Sequence, residues 1–95
     1  MTELRYREGE PVRVRVRQRE QWVELDDDGR AVELAGKPRG WLEIADRVVA
    51  QEGMNVNRAG RVFVTVHESR DLEDLERRLA ESSLAVYEAL LDELG

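Results

Sequence analysis

Apolar and polar residues alternate strictly from Val12 to Arg17, within residues 12–19 that read VRVRVRQR. Side chains alternate between the two faces of a β-strand, so this pattern predicts a strand with valines on one face and arginines on the other. The phase then changes, because the valines occupy even positions whereas Val23 and Leu25 occupy odd ones. A shift of one residue turns a strand over, so the change predicts a turn or bulge at residues 18–21.

The remainder of the first half continues this strand pattern. Leu4 and Tyr6 alternate with arginines and predict a short first strand. A strand is also predicted at residues 21–26, and the Asp-Asp-Gly sequence at 27–29 is typical of a hairpin turn. Residues 30–34 are then predicted as the next strand, with Val32 and Leu34 facing inward. Together these segments predict a β-meander.

Helical spacing replaces this alternation in the second half of the chain. Apolar residues recur at helical intervals from Trp41 to Val49, and a loop at residues 54–60 leads to a predicted strand at 62–66. A last helix is predicted at residues 71–93, with Ser69 or Asp71 as its cap. We therefore predict one α+β domain over residues 1–95. It has a three- to five-stranded, mainly antiparallel sheet, a β-meander followed by α-β-α, with two helices packed on one face.

Composition restricts the environment and the chemistry. The chain has no cysteine, a net charge of −6, and 15 basic residues of which only Lys37 is lysine. Arginine bias is typical of a GC-rich bacterial genome, and we expect a cytoplasmic protein because no apolar segment resembles a signal peptide or a membrane span. The acidic net charge argues against nucleic-acid binding driven by overall charge, although the first twenty residues hold six arginines against four glutamates.

The predicted last helix has more apolar surface than one stripe requires. Its main stripe runs from Leu72 to Leu94, and Ser82 and Ser83 interrupt it. Further apolar residues lie to one side of that stripe. We predict that the chain forms a homodimer, or binds a partner protein, through Leu84, Tyr87, Leu91 and Leu94. The alternative is that the helix bends around the core and leaves a few leucines exposed, which is ordinary for small proteins.

Two interpretations fit the arginine row. Arg13, Arg15 and Arg17 lie on the open sheet face, and Glu24, Asp26 and Glu33 are predicted to lie beside them as ion-pair partners. Alternatively the arginines bind an anionic ligand or nucleic acid, because the guanidinium group matches phosphate and aromatic side chains stack on bases. The tentative anion-binding residues are Arg13, Arg15, Arg17, Arg19, Trp22, Phe63 and His67.

No catalytic or metal-binding motif is evident. His67 is the only histidine, and no glycine-rich phosphate loop or nucleophile motif occurs. We therefore predict no cofactor and no metal. The sequence favours a non-catalytic interaction module, with anion or nucleic-acid binding as the alternative.

Overall fold

The structure is a computed structural model that describes residues 4–67 and 72–94. Within these ranges the elements follow one another along the chain as strands, two helices, two further strands and a long helix. They are β1 (Arg5–Arg7), β2 (Glu10–Pro11), β3 (Arg15–Gln18), β4 (Val23–Asp26), α1 (Arg30–Leu34), α2 (Trp41–Ala50), β5 (Asn55–Val56), β6 (Val62–Val66) and α3 (Leu72–Leu94). The predicted cap residues Ser69 and Asp71 lie outside the described residues.

Antiparallel pairing joins the strands into two sheets. Strands β1 and β2 form a small hairpin, and the larger sheet has the order β3-β4-β6-β5. The predicted turn at residues 18–21 is confirmed, because β3 and β4 are connected by a hairpin in which the Arg19 N–H donates to the Trp22 carbonyl at 2.8 Å. Together with the helices, this arrangement confirms the α+β class.

The β-meander prediction is wrong at one element. Residues 30–34 form helix α1 rather than a strand. Gly29 has a φ of 73°, which turns the chain away from β4, and both Ala31 and Val32 are buried. A strand cannot bury two successive side chains on one face, whereas a helix can. Five residues are too few for hydrophobic spacing to separate the two structures.

The core lies between the larger sheet and helices α2 and α3. The inner face of the sheet contributes Val23, Leu25 and Val62, all of them buried. The helical side of the core consists chiefly of Ile44, Ala45, Val49, Leu79, Val86 and Leu90. Helix α3 has 23 residues, so its length of about 35 Å nearly matches the longest dimension of the molecule, 39 Å. It therefore crosses the fold from end to end.

Strand β3 extends beyond this helical layer. Val16 pairs with Leu25 and so shares its face, yet Val16 is 43 % exposed whereas Leu25 is fully buried. Val12 and Val14 precede the strand and pack only partly against the core. Val16 thus lies on the side of the sheet opposite the arginines, as predicted, but it stays exposed because the helices do not reach this edge of the sheet.

Candidate functional site

The arginine row and its acidic partners lie on the face of the sheet opposite the helices. Strand register places Arg15 opposite Asp26 and Arg17 opposite Glu24. Arg15 Nε donates to Asp26 Oδ1 at 2.9 Å, and one terminal nitrogen of Arg17 lies 2.8 Å from Glu24 Oε1 and 3.1 Å from Asp26 Oδ2. Two of the three predicted acidic partners therefore meet the arginines.

The third predicted partner, Glu33, does not lie on this face. It belongs to α1 and forms an ion pair with Arg30 of the same helix. This correction follows from the change of residues 30–34 from strand to helix. The network instead gains a third arginine, Arg61, with a terminal nitrogen 3.7 Å from Asp26 Oδ2.

Asp26 is the centre of this network and is fully buried beneath the guanidinium groups. Its Oδ1 also accepts a hydrogen bond from the backbone N–H of Asp28 at 2.8 Å. Burial acts to raise the pKa of Asp26, but the Arg15 hydrogen bond, the Asp28 N–H and the charges of Arg15 and Arg17 together hold it below its usual value. The carboxylate is thus kept ionised.

The remaining tentative anion-binding residues surround this network without joining it. Arg19 only reaches Glu24 at 4.0 Å, and Arg13 makes no ion pair with any described residue. Trp22 is 47 % exposed at the β3–β4 hairpin. Phe63 pairs with Asp26 and is half-buried on this face, and His67 is exposed just beyond β6. The anion-binding role of these residues remains a prediction.

Two shallow grooves flank the network. One lies between the β1–β2 hairpin and the start of β3, and its lining includes Arg13, Arg15, Arg30, Glu10 and Asp28. The other lies beside Trp22 at the hairpin. Both grooves are open to solvent, and the first is lined largely by charged groups, so neither resembles the enclosed apolar pocket that typically holds a small molecule.

A second polar cluster is buried inside the core. The Ser83 hydroxyl donates to Asp27 Oδ2 at 2.6 Å, and the Tyr6 hydroxyl lies 2.6 Å from Ser83 Oγ. Since the single Ser83 proton is directed at the carboxylate, the Tyr6 hydroxyl is the donor in the second bond. Asp27 Oδ1 accepts from the backbone N–H groups of Gly29 at 2.8 Å and Val62 at 2.9 Å. All three side chains are buried.

Burial governs the protonation of this hydroxyl–carboxylate chain. It raises the pKa of Asp27, while the hydrogen bonds from Ser83, Val62 and Gly29 oppose that rise. Burial likewise raises the pKa of the Tyr6 hydroxyl. A serine beside a carboxylate resembles an activated nucleophile in composition, but a nucleophile must meet its substrate. Here the hydrogen-bonded side chains connect β1, the end of β4 and α3 inside the core, where no substrate can reach them.

Two signals in the sequence indicate this cluster, although it is absent from the predicted site residues. Val23 and Leu25 face inward, and continuing their alternation places Asp27 inward as well. Two adjacent serines at core positions of an amphipathic helix are the second signal. Ser82 and Ser83 do not interrupt the buried surface of α3; both are buried within it. Ser83 finds a partner, whereas Ser82 Oγ is buried with no hydrogen-bond partner among the described residues.

The predicted self-association residues divide between core and surface. Tyr87 is buried, and its ring meets the ring of Tyr6 edge-on with centroids 5.5 Å apart. Leu84 is half-buried. Leu91 is 44 % exposed and Leu94 is 38 % exposed. Leu84, Leu91 and Leu94 therefore form the solvent-facing part of the predicted surface, which we call the α3 flank.

Searches for similar proteins and for other ligand-binding features give no independent assignment. No protein-family model, no curated protein and no solved structure matches this chain. Among the described residues, no cluster of three potential metal-binding side chains occurs. None of the helices in those ranges combines the length and the apolar character needed to cross a membrane.

Proposed function

We propose that this chain is a non-catalytic interaction domain that self-associates through the α3 flank. The observation that carries the proposal is the exposure of Leu91 and Leu94 beside half-buried Leu84. These leucines lie next to the buried stripe of α3, on a helix that is continuous from Leu72 to Leu94. Contact with another molecule would remove this apolar surface from water.

One juxtaposition of opposite charges supports a second copy of the chain as the occupant. In an antiparallel pair of α3 helices centred on Leu84, Arg77 lies seven residues before the centre and Asp92 eight residues after it. The two-fold axis therefore brings Arg77 of one copy close to Asp92 of the other, twice in each dimer. In the single copy Arg77 pairs only with Asp74 and Glu81 of its own helix. Such exposed pairs rearrange at little free-energy cost.

The size of the flank indicates a weak dimer. Even a contact along the whole of α3, about 35 Å long and about 10 Å wide, would bury only roughly 350 Å² per copy. Stable complexes generally bury about 800 Å² per partner. We therefore expect a concentration-dependent equilibrium between monomer and dimer rather than an obligate dimer.

Sedimentation equilibrium from about 10 μM to about 1 mM tests the proposal. We expect the apparent mass to rise with concentration, and Leu94→Glu to suppress that rise because the antiparallel register places its carboxylate opposite Asp74 of the other copy. Leu42→Glu is the matched control, since Leu42 is similarly exposed but lies on α2. A wild-type chain that stays monomeric over the whole range contradicts the proposal.

A charge exchange adds a more specific test. Arg77→Glu is expected to weaken association by placing like charges opposite each other, and adding Asp92→Arg is expected to restore it. Failure of the double variant to recover association, when each variant keeps its helical circular dichroism, would argue against the antiparallel arrangement.

Nucleic-acid binding through the arginine face is the alternative function. A phosphate would share Arg15 and Arg17 with Glu24 and buried Asp26, so the less engaged Arg13 and Arg19 are expected to carry most of the binding. Titration of labelled single-stranded RNA at low salt tests this alternative. Salt-dependent binding that disappears in an Arg13→Glu/Arg19→Glu variant would favour it.

A further inference from the structure

Strand β3 is an open edge of the larger sheet. It pairs with β4 on one side, and no other described strand lies on its other side. Arg19 and Trp22 form a hydrogen-bonded pair at the hairpin. Because such pairs alternate along an antiparallel ladder, Arg17–Glu24 and Arg15–Asp26 are also hydrogen-bonded pairs.

The same alternation determines which backbone groups remain free. The N–H and C=O groups of Arg15 and Arg17 point toward β4, so those of Val16 and Gln18 point toward the open edge. The pairing of β4 with β6 agrees with this assignment. The N–H of Asp27 donates to the Val62 carbonyl at 3.1 Å, so the backbone groups of Leu25 point toward β6 and those of Glu24 and Asp26 point toward β3. The edge therefore offers two donors and two acceptors at the spacing of an extended chain.

Side chains on both faces of β3 extend this binding surface. On the helix side, the exposed Val16 side chain provides an apolar contact surface next to the edge. On the opposite side, the Arg15 and Arg17 side chains are 43 % and 35 % exposed despite their ion pairs. Each guanidinium has five N–H donors and so can donate hydrogen bonds to a further carboxylate.

We propose that β3 binds an acidic extended segment of another protein, which adds to the sheet as an extra strand. The segment carries carboxylates at alternate positions, facing Arg15 and Arg17, and an apolar residue between them that covers Val16. This surface is separate from the α3 flank, so the two proposals fail or succeed independently.

Charge identifies the occupant as a strand of opposite sign rather than a second β3. If two β3 strands paired in antiparallel fashion about Val16, Arg15 of one copy would lie opposite Arg17 of the other on the same face. Like charges at directly opposed positions destabilise a pair of strands. An acidic segment reverses this repulsion. A polypeptide also satisfies the free backbone groups of Val16 and Gln18 in a way that the backbone of a nucleic acid does not.

The experiment uses a short capped peptide in which glutamate alternates with valine, titrated into the full chain and followed by amide nuclear magnetic resonance. The expected result is shifted signals and slowed hydrogen exchange at Val16 and Gln18, with weaker binding at high salt. A peptide of the same composition with its glutamates grouped at one end is the matched control. Equal binding of both peptides would overturn the proposal, because simple charge attraction would then explain the interaction.

A substitution at the edge tests the backbone contact directly. Val16→Pro removes an N–H that faces outward and leaves the ladder with β4 intact, so the variant is expected to fold and to bind the alternating peptide about tenfold more weakly. Val16→Thr, which retains the N–H, is expected to bind within about twofold of wild type. Unchanged binding by Val16→Pro would refute strand addition.

Two further measurements complete the design. If Val16→Pro does not fold, the wild-type chain is titrated with a peptide N-methylated at alternate residues, which cannot donate to the edge. Loss of binding on methylation of one alternate set, but not of the other, supports strand addition. Tighter binding of single-stranded RNA than of the alternating peptide, with shifts at the same residues, would overturn the proposal in favour of nucleic-acid recognition.

Discussion

The Ser83 hydroxyl donates a hydrogen bond to Asp27 at 2.6 Å although the two residues are 56 positions apart in the chain. This bond links the middle of α3 to the end of β4. A buried carboxylate that lost it would retain its backbone donors but would have one oxygen facing the core unpaired. The contact is therefore expected to contribute strongly to stability, and the adjacent serine provides a matched comparison.

We predict opposite effects for the two neighbouring serines. Ser83→Ala is expected to lower the free energy of unfolding by about 2–3 kcal/mol, because Asp27 and Tyr6 both lose a partner in the core. Ser82→Ala is expected to be neutral or to stabilise by up to about 1 kcal/mol, since it removes a buried hydroxyl with no described partner and improves helix propensity. Urea unfolding of both variants measures the difference. Similar losses in both would contradict the assigned hydrogen bonds.

Tyr6→Phe tests the outer bond of the same chain. The substitution removes the hydroxyl that donates to Ser83 and keeps the ring against Tyr87, so we expect a loss of about 1 kcal/mol. In a Ser83→Ala background the same change is expected to cost much less, because the hydroxyl is already unpaired. Unfolding free energies of the four proteins form a double-mutant cycle. Strict additivity would show that the two hydroxyls are not coupled.

Asp26 and Asp27 are predicted to give opposite pH dependence. The pKa of Asp26 lies below its ordinary 3.8, so its stabilising contribution is present above that value and is lost as the pH falls through the lower folded-state pKa. The pKa of Asp27 lies above 3.8, so the folded chain binds the proton more tightly and stability declines as the pH rises from 3.8 through the raised pKa.

Unfolding free energies between roughly pH 2.5 and pH 7 separate these contributions. Asp26→Asn is expected to remove the loss at the acidic end, and to cost about 2–3 kcal/mol near neutral pH because Arg15, Arg17 and Arg61 lose their shared carboxylate. Asp27→Asn is expected to remove the decline above pH 3.8 instead. The same pH profile in both variants would refute the distinction.

Gly60 is predicted to be far less replaceable than Gly36. Both have positive φ angles, 92° and 83°, so alanine is strained at either position by about 1–2 kcal/mol. At Gly60 an added Cβ would also lie 3.0 Å from the Val32 Cβ of α1, whereas at Gly36 nothing lies within 4 Å. We therefore expect Gly60→Ala to cost about 1–3 kcal/mol more than Gly36→Ala by urea unfolding. Equal losses in the two variants would mean that α1 shifts to accommodate the added methyl group without loss of stability.

Sequence patterns predicted the parts of this fold that depend on alternation over several residues. The valine–arginine alternation and the phase change at residues 18–21 located β3, its hairpin and the ion pairs with Glu24 and Asp26. Both Trp41–Ala50 and Leu72–Leu94 are long enough for helical spacing to be unambiguous.

The errors arose where tertiary packing overrides local pattern. Residues 30–34 fit a strand and a helix equally well by their spacing, and the buried Asp27 at the preceding turn directs the chain into α1. The exposure of Val16 depends on how far the helical layer extends, which no local pattern records. The partner of Ser83 depends on where two distant segments meet.

The contact between Tyr6 and Ser83 also affects how the chain is made. These residues are 77 positions apart, so the β1–β2 hairpin cannot form its hydrogen bond with Ser83 until the middle of α3 has left the ribosome. Until then Tyr6 and the part of the sheet that α3 covers stay exposed. Folding during synthesis is therefore expected to be late and abrupt, with the N-terminal strands waiting for α3 to emerge.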